Sequence, residues 1–335
     1  MDNPPRLVLL GRLTTQGESL YRALRTVCTT KWVARKSEFK TDPLLFPLRI
    51  IREFLRLLAL CRSVPEDRRP TVIVHHIGID AIPALAARRA TGCKVMLYVV
   101  GRDVMMSRFL SRRWFLRWAV RKADVVLCGN GRIEKRVRSL GGRTTRVLPA
   151  PFVPFELGIA TEREFDVVTV GGLDDGAKQS LLVEASEYLE PSVKIAVIGD
   201  GPQREYLTTL SRRDGRTQVT FMGDLPPDRV HSTLQSSRLY VQCSHGESRA
   251  SSVLEAVSCG LPIISADGSQ DPELTEFYGI RAIVPEDSKA VSLATAIEGA
   301  IENYSALLKD VFTNRQALES FSRSWAGMAE TAIFS

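Results

Sequence analysis

The chain has only four histidines and six cysteines in 335 residues, and no two cysteines form a CxxC pair. Cys28, Cys61, Cys93, Cys128, Cys243 and Cys259 are scattered, mostly inside apolar runs, where a reduced and buried thiol is the expected state. The pattern excludes a zinc-finger or disulfide framework, and no metal site is expected. No run of about 18 uncharged apolar residues occurs, so no membrane-spanning helix is expected. The start, Met1-Asp2-Asn3-Pro4-Pro5, lacks the charged-then-apolar layout of a secretory signal. A cytoplasmic protein, peripheral at the inner face of a membrane if it meets one, is the expectation. Low-complexity tracts and short internal repeats are also missing.

The composition present is that of an ordinary globular chain, 44% hydrophobic and 25% charged. Its length is too great for one typical core, and two domains of similar size are expected. The net charge of +7 conceals a split. Residues 1–156 hold 30 Lys and Arg against 12 Asp and Glu, a surplus of +18, whereas residues 157–335 hold 15 against 26, or −11. Such asymmetry implies that the first half faces something anionic: a membrane surface, a nucleic acid or a phosphorylated acceptor. A nucleic acid is not expected, because no binding module or motif accompanies the charge.

Apolar strand patterns alternate with helical ones throughout. Strands are predicted at Leu7–Leu10, Thr71–Val74, Lys94–Val100 and Asp124–Cys128. After the join Pro149-Ala150-Pro151-Phe152-Val153-Pro154, strands follow at Phe165–Val170, Lys194–Ile198, Gln218–Phe221, Leu239–Cys243, Ile263–Ser265 and Ala282–Val284. The first strand leads through Gly11–Gly17 into a helix from about Glu18. Alternation of this kind means parallel sheets wrapped by helices. The predicted architecture is therefore α/β, two Rossmann-like domains facing a central cleft. The boundaries are an N-terminal domain at 1–156, a C-terminal domain at 157–315, and a terminal helix at 316–335 that packs back on the first domain.

The most informative segment runs from His245 to Ile264: His245-Gly246-Glu247-Ser248-Arg249-Ala250-Ser251-Ser252-Val253-Leu254-Glu255-Ala256-Val257-Ser258-Cys259-Gly260-Leu261-Pro262-Ile263-Ile264. It reads as a loop, a short helix, a glycine stop and a strand. Ser251 or Ser252 is the predicted N-cap, and Gly260 with Pro262 ends the helix. Glu247 falls in the loop and Glu255 about one turn into the helix, so both carboxylates face the space before its N-terminus. Free amides there suit a phosphate, and a carboxylate beside them accepts hydrogen bonds from adjacent sugar hydroxyls. A nucleotide sugar satisfies both.

With Val197-Ile198-Gly199-Asp200-Gly201-Pro202, Val219-Thr220-Phe221-Met222-Gly223 and Val284-Pro285-Glu286-Asp287, this segment resembles glycosyltransferase family 4, the group 1 retaining enzymes of GT-B fold. The resemblance covers most of the chain and is strongest from about residue 165 onward. It implies transfer of a sugar from a nucleotide diphosphate donor with retention, without metal or other cofactor. It places Glu255 on the ribose and gives Glu247 a catalytic, sugar-orienting role. It puts Ser248, Arg249, Ala250 and Ser251 on the donor, and Gly199 and Gly201 near the nucleotide. The acceptor side would include Gly17 of the first glycine loop and Asp103 of Gly101-Arg102-Asp103. His76 ends a predicted strand and is a candidate to face the ligand; a hydrogen-bonded core histidine is the alternative reading of the His75-His76 pair.

Two departures stand out in Val170-Gly171-Gly172-Leu173-Asp174-Asp175-Gly176-Ala177-Lys178. Gly172 stands where the family commonly has Arg, and Ala177 where it has Lys, with Lys178 one place on as the candidate to neutralise the diphosphate. They motivate an alternative: a non-catalytic nucleotide-sugar-binding scaffold with a degenerate clamp. One further run, Ser107 to Lys122, alternates Phe109, Leu110, Trp114, Leu116 and Trp118 with cations. It reads as an interfacial helix on an anionic membrane or as a core helix with a solvated basic face. A membrane lipid or lipid-linked glycan is the corresponding acceptor. Leu44–Arg62 is basic as well, and there the core-helix reading is favoured.

Overall fold

The computed structural model describes residues 6–12, 15–35, 46–75, 80–99, 110–155, 163–174, 178–212, 218–243 and 250–334. The chain divides into two compact units, one formed by residues 1–151 with 323–335 and the other by 152–322. The divisions fall a few residues from 156/157 and 315/316, where the sequence suggested them.

The first unit contains six strands: β1 (Leu7–Arg12), β2 (Thr30–Arg35), β3 (Thr71–His75), β4 (Val95–Val99), β5 (Val125–Cys128) and β6 (Thr145–Val147). They form one sheet in the order β2-β1-β3-β4-β5-β6, with every pair parallel. Its helices are α1 (Thr15–Val27), α2 (Phe46–Arg62), α3 (Ala81–Thr91), α4 (Leu110–Lys122) and α5 (Gly131–Ser139). β4 and β5 are buried along their whole length, as expected of central strands covered on both faces. Asp124 fastens α3 to this sheet: Arg88 donates to it through Nε at 2.8 Å and Nη2 at 2.6 Å, and the Val95 amide donates at 2.8 Å. Residues 323–335 complete the unit, where Trp325 Nε1 donates to the Pro149 carbonyl at 2.8 Å and Arg146 to that of Ala332 at 2.7 Å.

The second unit contains β7 (Phe165–Val170), β8 (Lys194–Ile198), β9 (Gln218–Gly223), β10 (Ser237–Gln242) and β11 (Ile263–Ser265). Their order is β11-β10-β7-β8-β9, again with every pair parallel. The helices are α6 (Gln179–Ala185), α7 (Arg204–Ser211), α8 (Pro227–Gln235), α9 (Ala250–Ser258), α10 (Pro272–Tyr278), α11 (Ala290–Glu302) and α12 (Tyr304–Phe334). Helix ends follow local chemistry. Asp271 caps α10 by accepting the Glu273 amide at 2.9 Å, Pro272 opens that helix, and Gly279 ends it at φ 66°. A core that includes Val167, Ile195, Leu239, Ile264 and Ile297 lies between this sheet and its helices.

Three expectations are corrected. β2 and β6 were not anticipated; they are the two edge strands of their sheet, and Lys31, Arg35 and Arg146 break the apolar pattern. Ala282–Val284 forms only an isolated bridge, Ile264 to Ile283, instead of a strand. Helix α1 starts at Thr15, so Gly17 belongs to its first turn and not to the loop before it. Glycine in a helix costs about 1 kcal/mol relative to alanine, too little to overrule the rest of the segment.

Candidate functional site

Strand order locates the site in the second unit. β7, β8 and β9 build outward in one direction, and β10 then returns to the other side of β7. The chain crossovers therefore diverge between β7 and β10, and the crevice beyond the carboxyl ends of those two strands is where open α/β sheets bind ligands. The two strand ends touch: Thr169 Oγ1 lies 3.6 Å from Cys243 Sγ. Hence the segments after β7 (Gly171–Lys178) and after β10 (Ser244 onward to α9), far apart in sequence, start from one edge.

Within the β10 segment, residues 244–249 lie outside the described residues, and Glu247, Ser248 and Arg249 with them. Ala250, buried, is the first residue of α9, and Ser251 is half-buried in its first turn. Neither Ser251 nor Ser252 is therefore the N-cap that the sequence suggested. Ser252 instead meets the buried phenol of Tyr240, whose hydroxyl donates to Ser252 Oγ at 3.0 Å and lies 3.4 Å from the Val170 carbonyl. A buried phenol needs a partner, and that requirement ties the first turn of α9 down onto β10 and β7.

Glu255 follows in the second turn of α9. Burial pushes its carboxyl up to about 7, and no cation among the described residues offsets the effect. Burial, and after it the charge of Glu255, pushes the Cys259 thiol up to about 12. A desolvated carboxylate without donors is costly unless a ligand supplies them, and such groups at strand-end crevices are candidate binding residues.

On the β7 side, Lys178 is the one non-glycine among the described residues with positive φ, 54°, at the residue preceding α6. Its side chain is exposed, and no carboxylate among the described residues pairs with it. The left-handed conformation costs about 1 kcal/mol for a residue with a Cβ. Behind it Gln179 is buried, and its Oε1 has no partner among the described residues. Gly172 is exposed, and a Cβ there would meet nothing nearer than Asp174 Oδ2 at 3.8 Å. The missing Arg is thus not a steric exclusion.

Gly199 and Gly201 have an intramolecular explanation. The Leu173 amide donates to the Asp200 carbonyl at 3.0 Å, the Gln203 amide to that of Leu173 at 3.0 Å, and the Gly199 amide to that of Gly223 at 2.8 Å. A Cβ on Gly199, at φ 126°, would lie 2.1 Å from the Gly171 carbonyl oxygen, and one on Gly201 would lie 2.4 Å from that of Leu173. Close packing of the loops after β7, β8 and β9 demands glycine at both positions without a ligand. Asp200 and Arg204 brace the same turn with a 2.8 Å ion pair.

The structure thus brings together Gly172, Lys178, Gly199, Gly201, Ala250, Ser251 and Glu255 at one sheet edge. It leaves Gly17 in the other unit, while Asp103 and His76 lie outside the described residues. Tyr240, Ser252 and Gln179 were not anticipated. The only available signal was a polar residue at a position that strand or helix periodicity marks as buried. Among the described residues no group of three or more His, Cys, Asp and Glu could hold a metal, and no helix is long and apolar enough to cross a membrane.

Residues 154–317 match the family model of glycosyl transferases group 1. The chain is 30% identical over 158 residues to the sulfoquinovosyl transferase of Arabidopsis thaliana, covering 47% of this chain and 28% of that protein. It is 25% identical over 246 residues to a Bacillus subtilis glycosyltransferase assigned provisionally to teichuronic acid biosynthesis, covering 68% of this chain and 61% of that one. The chain therefore spans between about a quarter and three fifths of these relatives. Among solved structures, Anabaena HepE in complex with UDP and glucose superposes with a TM-score of 0.71 at 14% identity, over 97% of this chain and 99% of that one.

Proposed function

We propose, from a chain that has the GT-B fold and whose residues 154–317 belong to the group 1 glycosyl transferases, that this protein is a retaining glycosyltransferase of family 4. It transfers a sugar from a nucleotide diphosphate donor to an acceptor hydroxyl. The observation that carries the reading is Glu255, a carboxylate raised by burial to about 7 at the edge where β7 and β10 diverge, inside the segment that matches the family. Two adjacent ribose hydroxyls would supply donors that no described residue gives it. The amides opening α9, with Ser251 beside them, and the exposed ammonium of Lys178 would neutralise the diphosphate without a metal. Glu247, with Ser248, Arg249 and Ala250, is assigned to orienting the donor sugar.

Retention follows from attack on the face that the diphosphate leaves. The acceptor oxygen bonds to the anomeric carbon as the carbon–phosphate oxygen bond breaks. The departing phosphate oxygen takes the acceptor proton, so no side chain has to act as a covalent nucleophile. The acceptor is assigned to membrane lipids or lipid-linked glycans, in keeping with the basic first half. HepE holds UDP, which makes UDP sugars the first donors to test.

Calorimetric titration of UDP, GDP and ADP sugars tests the donor site. One class should bind, and Glu255→Ala should weaken it about a hundredfold, the loss of two hydrogen bonds to a charged acceptor. Undiminished binding in that variant refutes the ribose assignment. A second reading, a non-catalytic scaffold, is favoured by Gly172 and Ala177 at the clamp positions. Release of nucleoside diphosphate from the bound donor, even slowly by hydrolysis, excludes it.

A further inference from the structure

In the first unit, α4 turns Leu116, Ala119 and Val120 into the core. Its opposite face carries Trp114, Arg117, Trp118 and Arg121 at helical spacing, with Trp114 76% and Trp118 40% exposed. Both indoles therefore lie on the outer face of a helix whose inner face is part of the core. Between this face and the turn at Gly141–Arg143 runs an open groove of about 940 Å³, lined by these four residues with Lys122, Arg143 and Gly141. Gly141 has a positive φ of 96°, and a Cβ there would lie 2.5 Å from Arg121 Nε, so the guanidinium rests directly on the turn. Trp118 is braced from below by Phe115, their ring centroids 5.6 Å apart.

The decisive feature is charge without compensation. None of Arg117, Arg121, Lys122 and Arg143 makes an ion pair with a described residue, and no carboxylate is among the described residues that line the groove. Helix α2, also basic in sequence, differs: Glu53 accepts from Arg52 at 3.1 Å and from Arg56 at 3.2 Å. Two outward indoles flanked by cations that no described carboxylate pairs match the depth profile of a bilayer surface, with aromatic rings at headgroup level and cations on lipid phosphates. Among the described residues that line the groove there is no Asn, Gln, Ser or Thr to read a base edge.

We propose that the groove between α4 and the Gly141–Arg143 turn is a docking surface for an anionic lipid bilayer. Its purpose rests on the lipid-borne acceptor proposed above. The docking itself is measured without donor or acceptor, so its failure is distinguishable from failure of the transferase reading.

Flotation of the full chain with phosphatidylcholine vesicles, alone or mixed with phosphatidylglycerol, tests it. The mixed vesicles should carry the protein at low salt and the neutral ones should not, with tryptophan emission shifting to the blue. Arg117→Glu and Arg121→Glu should each lower partitioning at least about fivefold, the equivalent of roughly 1 kcal/mol per cation. Trp114→Ala with Trp118→Ala should remove the blue shift and most of the binding at an unchanged melting temperature. Absence of binding to anionic vesicles at low salt overturns the proposal, as does binding that the double tryptophan variant leaves intact. Retention on single-stranded RNA, with the indoles quenched and no vesicle binding, also overturns it and makes the groove a nucleic-acid face.

Discussion

The two units share a doubly wound parallel sheet and differ in what their surfaces do. In the second, the loops leaving β7, β8 and β9 are stitched by backbone hydrogen bonds so closely that two glycines admit no side chain. In the first, α4 presents outward indoles and cations that pair with no described carboxylate. The family match follows the second kind of structure and stops at 154–317. The contrast has a physical basis. A site shaped by backbone contact tolerates few sequences, whereas a charged, aromatic surface needs only the right composition at roughly the right spacing.

Glycine substitutions offer the sharpest way to break this contrast. Gly199→Ala places a methyl against the Gly171 carbonyl and should destabilise the protein by about 3 kcal/mol in a denaturant titration. Gly131→Ala in the first unit, where a Cβ would meet nothing within 4 Å, should leave stability unchanged or slightly raised. Equal effects at the two positions would dissolve the distinction.

The buried carboxylate gives a second test, with a defined pH window. The folded-state pKa of Glu255, about 7, lies above the ~4.3 of an unfolded glutamate. Its ionisation therefore opposes folding. The penalty is absent below about pH 4, grows as pH rises between the two values, and is complete above about 7, at roughly 3 kcal/mol. Glu255→Gln should thus be markedly more stable than the parent at pH 8 and nearly equal to it at pH 4.5. A stability difference that does not change with pH would mean that the carboxylate is not desolvated.

Lys178 yields the smallest effect and joins shape to charge. Lys178→Gly should relieve the left-handed backbone and stabilise the protein by about 1 kcal/mol. It should also weaken donor turnover if the ammonium meets the diphosphate. Gain of stability with loss of kcat/KM supports the assignment; unchanged turnover leaves Lys178 as a turn residue only.

Much of the fold was readable in one dimension, and the errors have specific causes. Strands such as Val95–Val99 and Val125–Cys128 announce themselves as apolar runs because both faces are covered. β2 was missed because an edge strand carries charge. Ala282–Val284 misled because apolar character alone does not provide a neighbour to pair with. The α9 serines looked like caps, yet Tyr240, ten or more positions earlier, claims the Ser252 hydroxyl. Glu255 was identifiable as a candidate from its place in the His245–Ile264 segment, but its desolvation was not.

Two properties separate along this line. Local order determined the alternation of strands and helices, the proline-rich join, the glycine turns and the uneven charge, since each depends on neighbours a few positions away. Strand order, the divergence between β7 and β10, the interlocked loops and the outward turn of Trp114 and Trp118 came only with tertiary structure. Those depend on contacts between segments tens of residues apart, which no local pattern encodes.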